Sequence, residues 1–597
     1  MNRETILLNK FYGYNSFKEG QYEVISKIIS GKDCFCVLPT GGGKSICYQI
    51  PALLFEGLTI VISPLVSLMK NQVDDLKTIG ISSEYIHGGL SLEEIDGILK
   101  RAYFGEIKIL YIAPERLDSE SFIKKVGKID ISQIAIDEAH CVSIWGHDFR
   151  KSYLNIGRFI ETLPRRPIIT AFTATATNQV LEDSIKLLNL KKPFIYKGNP
   201  NRENLQIYIH KEEDKLEFVT DFIKENNSGF GIIYCLTTKE VDGLYGYLKD
   251  RGYNVGKYHG KMSIEERNFN QEEFLNDNIE VIVATNAFGM GIDKSNISFI
   301  IHFTMAKNIE SYYQEVGRAG RDGEKAYCHL LYNREDIASV EYLINTSIEF
   351  NRREVELKKL QNFIEFCDYE GCFKYFIMNY FGEKNTKDYC NSCSNCFKNE
   401  EVRDMTIEAQ KILSCIYRTK EEVGESVLVD ILRGIRGPKI EERKYYELST
   451  FAIMKEYSGT LIRDIISELI EQGYLSRKEK TYSMMKLNKK SLEVLKGREK
   501  VFIKLEEKST DLCLDQELFK RFRILRKDLS RREGVKPYII FTDNLLIEIV
   551  NNYPRTKEEL SKIKGLGENK LNKYGPFILT VIRDYDKYKK AIETGAN

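Results

Sequence analysis

The sequence predicts an α/β protein with two parallel sheets in tandem, followed by further units. Three observations carry this. Short β-branched runs at 34–38, 59–63, 108–112, 134–136 and 168–172 alternate with helical stretches, as in a parallel sheet covered by helices. A second series at 231–235, 255–258, 280–284, 299–302 and 326–332 repeats the alternation without a glycine-rich loop of its own. At 597 residues the chain far exceeds a single core, and ordinary domain sizes suggest about four units.

The first run leads into Pro39-Thr40-Gly41-Gly42-Gly43-Lys44-Ser45, after which a helical pattern begins. Three glycines remove side chains that would hold backbone N–H groups away from a triphosphate, and the helix from Ser45 aims its positive end at the same charge. Lys44 supplies a movable cation for the β- and γ-phosphates, and Ser45 a hydroxyl for Mg²⁺. Leu38 occupies the position where the strict phosphate-loop spacing asks for glycine. A glycine triplet alone is more often a turn; the second element shifts the balance. Asp137 ends the apolar run 131–136 and can hold the magnesium shell, while Glu138 is the adjacent candidate base for an attacking water. Together they predict Mg²⁺-dependent ATP hydrolysis.

Composition narrows the setting. No apolar stretch approaches the length that spans a bilayer, and the start Met1-Asn2-Arg3-Glu4-Thr5 lacks a signal-peptide layout, so a cytosolic address without a membrane is expected. The net charge is +1, yet residues 511–597 hold 18 Lys/Arg against 13 Asp/Glu. A basic tail on a slightly acidic body suits a nucleic-acid tether, although a solvated surface is the commoner origin of such an excess. Segment 192–203, with Pro193 and Pro200 among polar residues, reads as a linker between the two sheets. In the second half, Gln314, Arg318 and Arg321 recur at helical spacing, and the two arginines are candidates for fingers that stabilise charge on a phosphoryl group in transfer.

With these residues in hand, the chain resembles the RecQ family of superfamily 2 DNA helicases from about residue 5 to about residue 590. The motifs occur in order. Tyr14-Asn15-Ser16-Phe17-Lys18-Glu19-Gly20-Gln21 is similar to the adenine-binding motif, with Lys18 where an arginine is usual. Asp137-Glu138-Ala139-His140 is the DEAH element, and Thr173-Ala174-Thr175-Ala176 is similar to the motif coupling hydrolysis to the strand. Ser63 to Met69 and Ala113 to Arg116 match motifs that face DNA in the family. The run from Ala284 to Asp293, with Gly289, resembles one that contacts DNA and nucleotide.

Residues 143–150, Ser-Ile-Trp-Gly-His-Asp-Phe-Arg, resemble the family's aromatic-rich loop, with Lys151 where a proline usually follows. Trp145, the only tryptophan, and Phe149 offer π-faces on which unpaired bases stack for about 1–3 kcal/mol each. His147 and Arg150 join them as expected DNA contacts. An ordinary core role is the bland alternative for Trp145.

Cys390, Cys393 and Cys396 form C-x2-C-x2-C, a spacing that suits structural zinc in a reduced protein. Cys372 and Cys367 compete for the fourth position; the resemblance favours Cys372. Segment 405–500 resembles the family's winged helix, with a hairpin expected from 474–478 and 482–487 that could wedge a fork. Segment 515–585 resembles the helicase-and-RNaseD C-terminal (HRDC) domain, with Tyr538 a candidate strand-stacking residue.

The resemblance implies RecA-like domains over 1–200 and 201–340, a zinc-binding subdomain over 341–402, a winged helix over 403–505 and an HRDC domain over 511–590. It also implies an ATP-, Mg²⁺- and Zn²⁺-dependent 3′→5′ helicase acting on single-stranded and forked or tailed DNA in recombination and repair, in a bacterial cytosol at the nucleoid, with single-strand-binding protein and other repair proteins as partners. An RNA-remodelling ATPase of the same superfamily and a non-catalytic DNA-binding scaffold are the alternatives.

Overall fold

The computed structural model describes residues 2–593 apart from Thr40, 226–228, Met290, Gly291, Asp293, 384–386, 398–401, Ser458, 479–480, 505–514 and Lys564. Thr40 and Asp293, expected to face nucleotide, and the tip of the expected wing hairpin therefore lie outside the described residues.

The first sheet contains β1 (Cys34–Val37), β2 (Leu58–Ile62), β3 (Ser83–Ile86), β4 (Ile109–Ile112), β5 (Ile131–Ile136), β6 (Ile168–Thr173) and β7 (Phe194–Lys197). Their order is β3-β4-β2-β5-β6-β1-β7, and every neighbouring pair is parallel. The second contains β8 (Leu205–Lys211), β9 (Phe230–Tyr234), β10 (Val255–Tyr258), β11 (Val281–Ala284), β12 (Ile297–His302) and β13 (Ala326–Tyr332), ordered β10-β11-β9-β12-β13-β8 and also wholly parallel. Helices cover both faces, so the central strands read as continuous apolar runs; Leu58 to Ile62 is buried at every position.

Three strands, β3, β7 and β8, were not expected from sequence, and all three lie at sheet edges. An edge strand is only half-covered, so its sequence carries no long apolar run: β3 is fully buried only at its two end residues, and β7 has no fully buried residue. This corrects the linker 192–203. Phe194 to Lys197 pair with β1 in the register Cys34↔Phe194, and the connection between the sheets begins only at Gly198.

The chain divides into two compact units, residues 1–211, 230–393 and 513–597 in one and 212–229 with 394–512 in the other. Both sheets lie in the first. After β13 the chain enters helices Glu335–Ser347, Phe350–Asp368 and Phe373–Tyr380. Phe363 and Phe366 of the second of these set their rings 5.6 and 5.5 Å from Tyr312, fixing that helix to helix Ile309–Val316.

The C-terminal helices Gln516–Glu533, Pro537–Ile540, Asp543–Asn552, Lys557–Leu560 and Glu568–Glu593 enclose their own core around Phe519, Phe522, Leu546 and Ile578. They dock on the second sheet's domain through charge rather than an apolar face. Asp277 pairs with Lys294 and, at 2.8 Å, with Arg526, whose other terminal nitrogen lies 2.8 Å from Asp543. Arg523 adds a 3.1 Å pair with Glu280.

The other unit holds helices Thr406–Arg418, Glu425–Arg433 and Gly459–Glu471, packed with an antiparallel hairpin of strands Leu475–Lys478 and Thr481–Leu487. Helix Lys215–Glu225 belongs to this unit, anchored by Asp221 and Glu217 against Arg463. The helices and hairpin match the winged-helix layout expected from sequence.

Candidate nucleotide and nucleic-acid site

The phosphate loop connects β1 to helix Lys44–Leu54, at the carboxyl ends of the strands where ligands of open α/β sheets bind. Gly43 caps that helix in the left-handed region with φ 74°, and a Cβ there would lie 2.3 Å from Gln21 Nε2, so this position is confined to glycine. Gln21 donates from Nε2 to the carbonyls of Gly42 (3.2 Å) and Gly43 (3.1 Å). Lys18 donates from Nζ to the Gly41 carbonyl at 2.9 Å, so the departure from arginine still ties this motif to the loop. Tyr14 is 57% exposed, open for a planar ligand.

Lys44 Nζ stands 3.5 Å from Glu138 Oε1. Asp137 accepts from Ser63 Oγ at 3.4 Å and from the Glu138 amide at 3.0 Å; burial, and next the neighbouring Glu138 charge, push its carboxyl up to about 6. Glu138 adopts φ 47°, a strained conformation for a non-glycine residue, and its buried Oε2 lacks a hydrogen-bond partner. Strain and unsatisfied polarity at one residue are features that cluster at functional sites. The charge of a nucleotide-bound Mg²⁺ would relieve both carboxylates; the Ser45 hydroxyl and Asp137 are oxygen donors that fit it, while the loop N–H groups suit the phosphates.

From the second domain, Arg321 reaches this loop: a Cβ at Gly41 would lie 3.8 Å from its Cγ. Arg318 instead turns back within its own domain and donates to the Gly289 carbonyl. Gly289, at φ 143°, must be glycine because a Cβ would come 2.5 Å from the Arg318 guanidinium. Gln314 lies on helix Ile309–Val316 with a buried Nε2 that has no hydrogen-bond partner. The structure thus brings Arg321 to the phosphate loop and holds Arg318 against the second domain.

His140 Nδ1 lies 2.9 Å from Thr173 Oγ1 and 3.3 Å from Glu138 Oε2. Its ring stacks on His147 at 4.1 Å, joining the carboxylate site to the aromatic-rich loop. Burial is the main cause holding His140 neutral, down to about 3, and it lowers His147 as well. Arg150 is held inside the loop by Asp148 and donates to the Pro64 carbonyl at 2.9 Å. Trp145 is half-buried against the first sheet's core, so the bland reading holds for one of its faces. Phe149 faces the Arg352 guanidinium at 5.2 Å. Tyr538 sits at the C-terminal docking face, with Lys294 Nζ 5.8 Å from its ring.

Cys372, Cys390, Cys393 and Cys396 bring their sulfurs within 4.8 Å of one another. Four thiolates around zinc have that spread, and they leave no open coordination position, so the metal would brace the fold. Cys367 is buried elsewhere, in the last turn of the Phe350–Asp368 helix.

Two parallel-sheet domains around one phosphate loop, with a carboxylate pair on one and an arginine from the other, define an ATP-hydrolysing helicase motor. Family models match in order: DEAD/DEAH box helicase over 18–184, helicase conserved C-terminal domain over 214–323, RecQ zinc-binding over 334–397, RQC domain over 399–511 and HRDC domain over 515–582. The chain is 43% identical to the ATP-dependent DNA helicase RecQ of Bacillus subtilis, covering 98% of this chain and 99% of that one. It is 36% identical to the Haemophilus influenzae protein of the same name over 97% of this chain and 95% of that one. A putative ATP-dependent RNA helicase of Acanthamoeba polyphaga mimivirus is 36% identical over 79% of this chain and 87% of its own. This chain belongs to the RecQ family of ATP-dependent DNA helicases. It is an ATP-hydrolysing enzyme that uses Mg²⁺ and carries a zinc-binding cluster. Among the described residues no helix is long and apolar enough to cross a membrane.

Proposed function

We propose that this helicase moves 3′→5′ along one DNA strand and opens forked or tailed duplexes during recombination and repair. The observation that carries the mechanism is Arg321 of the second domain lying against the phosphate loop of the first. In this reading Lys44, Ser45, Gly41, Gly42 and Gly43 hold the triphosphate, Tyr14, Lys18 and Gln21 the base, and Asp137 the metal. Glu138, oriented by its contact with His140, accepts the proton of the attacking water. Arg321 and then Arg318 stabilise the phosphoryl group in transfer, so closure of the domains is needed for turnover. Trp145, His147, Phe149 and Arg150 meet the unpaired strand, and Gly289, Asp293 and Gln314 of the second domain contribute to holding the nucleotide.

Strand displacement on duplexes tailed at either end, with and without ATP, tests this. Opening of the 3′-tailed duplex alone is expected; equal opening of the 5′-tailed form overturns the polarity. Matched DNA and RNA oligomers in an ATPase assay test the nucleic acid, since RNA preference would support the remodelling alternative. Single-strand-binding protein and other repair proteins as partners, and residence at the bacterial nucleoid, belong to the same proposal. Co-sedimentation with single-stranded DNA coated by that protein, against bare DNA, checks the first of these.

A further inference from the structure

Helix Phe350–Asp368 follows the second domain in sequence, yet its first turns reach the aromatic-rich loop of the first. Arg352 donates from Nη2 to the Gly146 carbonyl at 3.1 Å, pairs with Glu356 at 2.6 Å and faces the Phe149 ring. Glu349, just before the helix, pairs with Lys151 at 2.7 Å, so the departure from proline at 151 creates a contact. Two turns further in, Lys359 is 8% exposed and stands 3.7 Å from Glu310 and 3.8 Å from Glu356. Its buried Nζ has no hydrogen-bond partner.

Glu310 belongs to helix Ile309–Val316, which carries Gln314 and runs directly into Arg318 and Arg321. The same helix is locked to Phe350–Asp368 by Tyr312 against Phe363 and Phe366. One rigid element is therefore attached at one end to the helix leading into the fingers and at the other to the loop beside His140. The Lys359 charge also acts on His140 and His147, adding to the burial that keeps both neutral.

We propose that Arg352, Glu356 and Lys359 form a positioning relay by which strand occupancy at the aromatic-rich loop sets the placement of helix Ile309–Val316 and of the turn after it that carries Arg318 and Arg321. The inference rests on the helicase reading above and adds the residues that transmit the signal. A base that stacks on Phe149 competes with the Arg352 guanidinium for the ring. Releasing Arg352 frees the Glu356–Lys359–Glu310 chain to shift its partners. Such a coupling is reciprocal in binding, so nucleotide must change the affinity of the loop for the strand by the same factor as the strand changes the affinity for nucleotide.

Trp145 is the only tryptophan in the chain and lies within the loop, which gives a direct readout. ATPase rates with and without single-stranded DNA, DNA affinity, and Trp145 emission with and without a non-hydrolysable ATP analogue are to be measured for wild type, Arg352→Ala, Arg352→Lys and Lys359→Met. Arg352→Ala is expected to keep its DNA-free ATPase rate but lose about tenfold of the DNA stimulation, and to lose the analogue-induced change in emission. Arg352→Lys, which keeps the charge without the planar fork, should recover part of both. If Arg352→Ala does not fold, Lys359→Met carries the same expectations. Full stimulation together with an unchanged emission response in the folded variants overturns the relay. A wild type without DNA stimulation would instead overturn the helicase reading.

Discussion

Lys44 and Lys294 each face a carboxylate in the same compact unit, and the two pairs are built for opposite ends. Lys44 and Glu138 stand 3.5 Å apart with side chains 16% and 20% exposed, and Glu138 is strained and incompletely satisfied. Lys294 and Asp277 are 0% and 1% exposed, with Arg526 closing the cluster at 0%. A loose pair near solvent exchanges partners at little cost, so Lys44 can pass to a phosphate. A sealed pair has surrendered its hydration and holds only while every charge is matched. The first is a site in waiting, the second a latch between the C-terminal helices and the second domain.

Substitutions that break this contrast should differ in kind as well as size. Lys44→Ala should abolish ATP turnover while thermal unfolding stays unchanged; normal unwinding by this variant would refute the motor. Arg321→Ala should lower the DNA-stimulated rate by about 10³-fold. A loss confined to nucleotide affinity would argue against its finger role. Asp277→Ala leaves Lys294 buried without its counter-charge and Arg526 with Asp543 alone, and should cost the docked state about 3–5 kcal/mol. Greater protease sensitivity of the C-terminal helices would report their release, with ATP hydrolysis retained. Cys393→Ser, or removal of zinc by a chelator, should destabilise the region around helix Phe373–Tyr380 and leave the phosphate loop intact, which differential protease sensitivity would detect.

The smallest effect is on pH dependence. Burial pulls the Lys294 ammonium from 10.5 down to about 8 despite Asp277 beside it. Between those values the unfolded chain holds a proton that the folded chain has released, so this group's contribution to stability rises with pH across the window. Wild type should therefore gain on Lys294→Met between about pH 8 and 10.5 in paired thermal melts, and a constant difference would contradict the assignment.

How much of this was legible in the sequence differs by element. The central strands announce themselves because burial on both faces demands unbroken apolar runs, whereas β3, β7 and β8 lie at edges and keep polar residues that hide them. Gly43, Lys44, Asp137 and Glu138 are readable because phosphate chemistry restricts the residue types over a few positions of chain. The cysteine trio is readable for the same reason, while Cys372 over Cys367 needed a resemblance from sequence and then the proximity of the sulfurs.

Local chemistry written within a short span of chain was thus open to reading: the phosphate loop, the carboxylate pair, the thiolate spacing and the order of the modules. Tertiary structure alone placed Arg321 at Gly41, turned Arg318 toward Gly289, set Arg352 over Phe149 and buried Arg526 against Asp277. Those pairings join residues as many as 280 positions apart. No periodicity or spacing encodes them, because a long-range contact is chosen by how whole faces pack and which charges must find partners once water is gone.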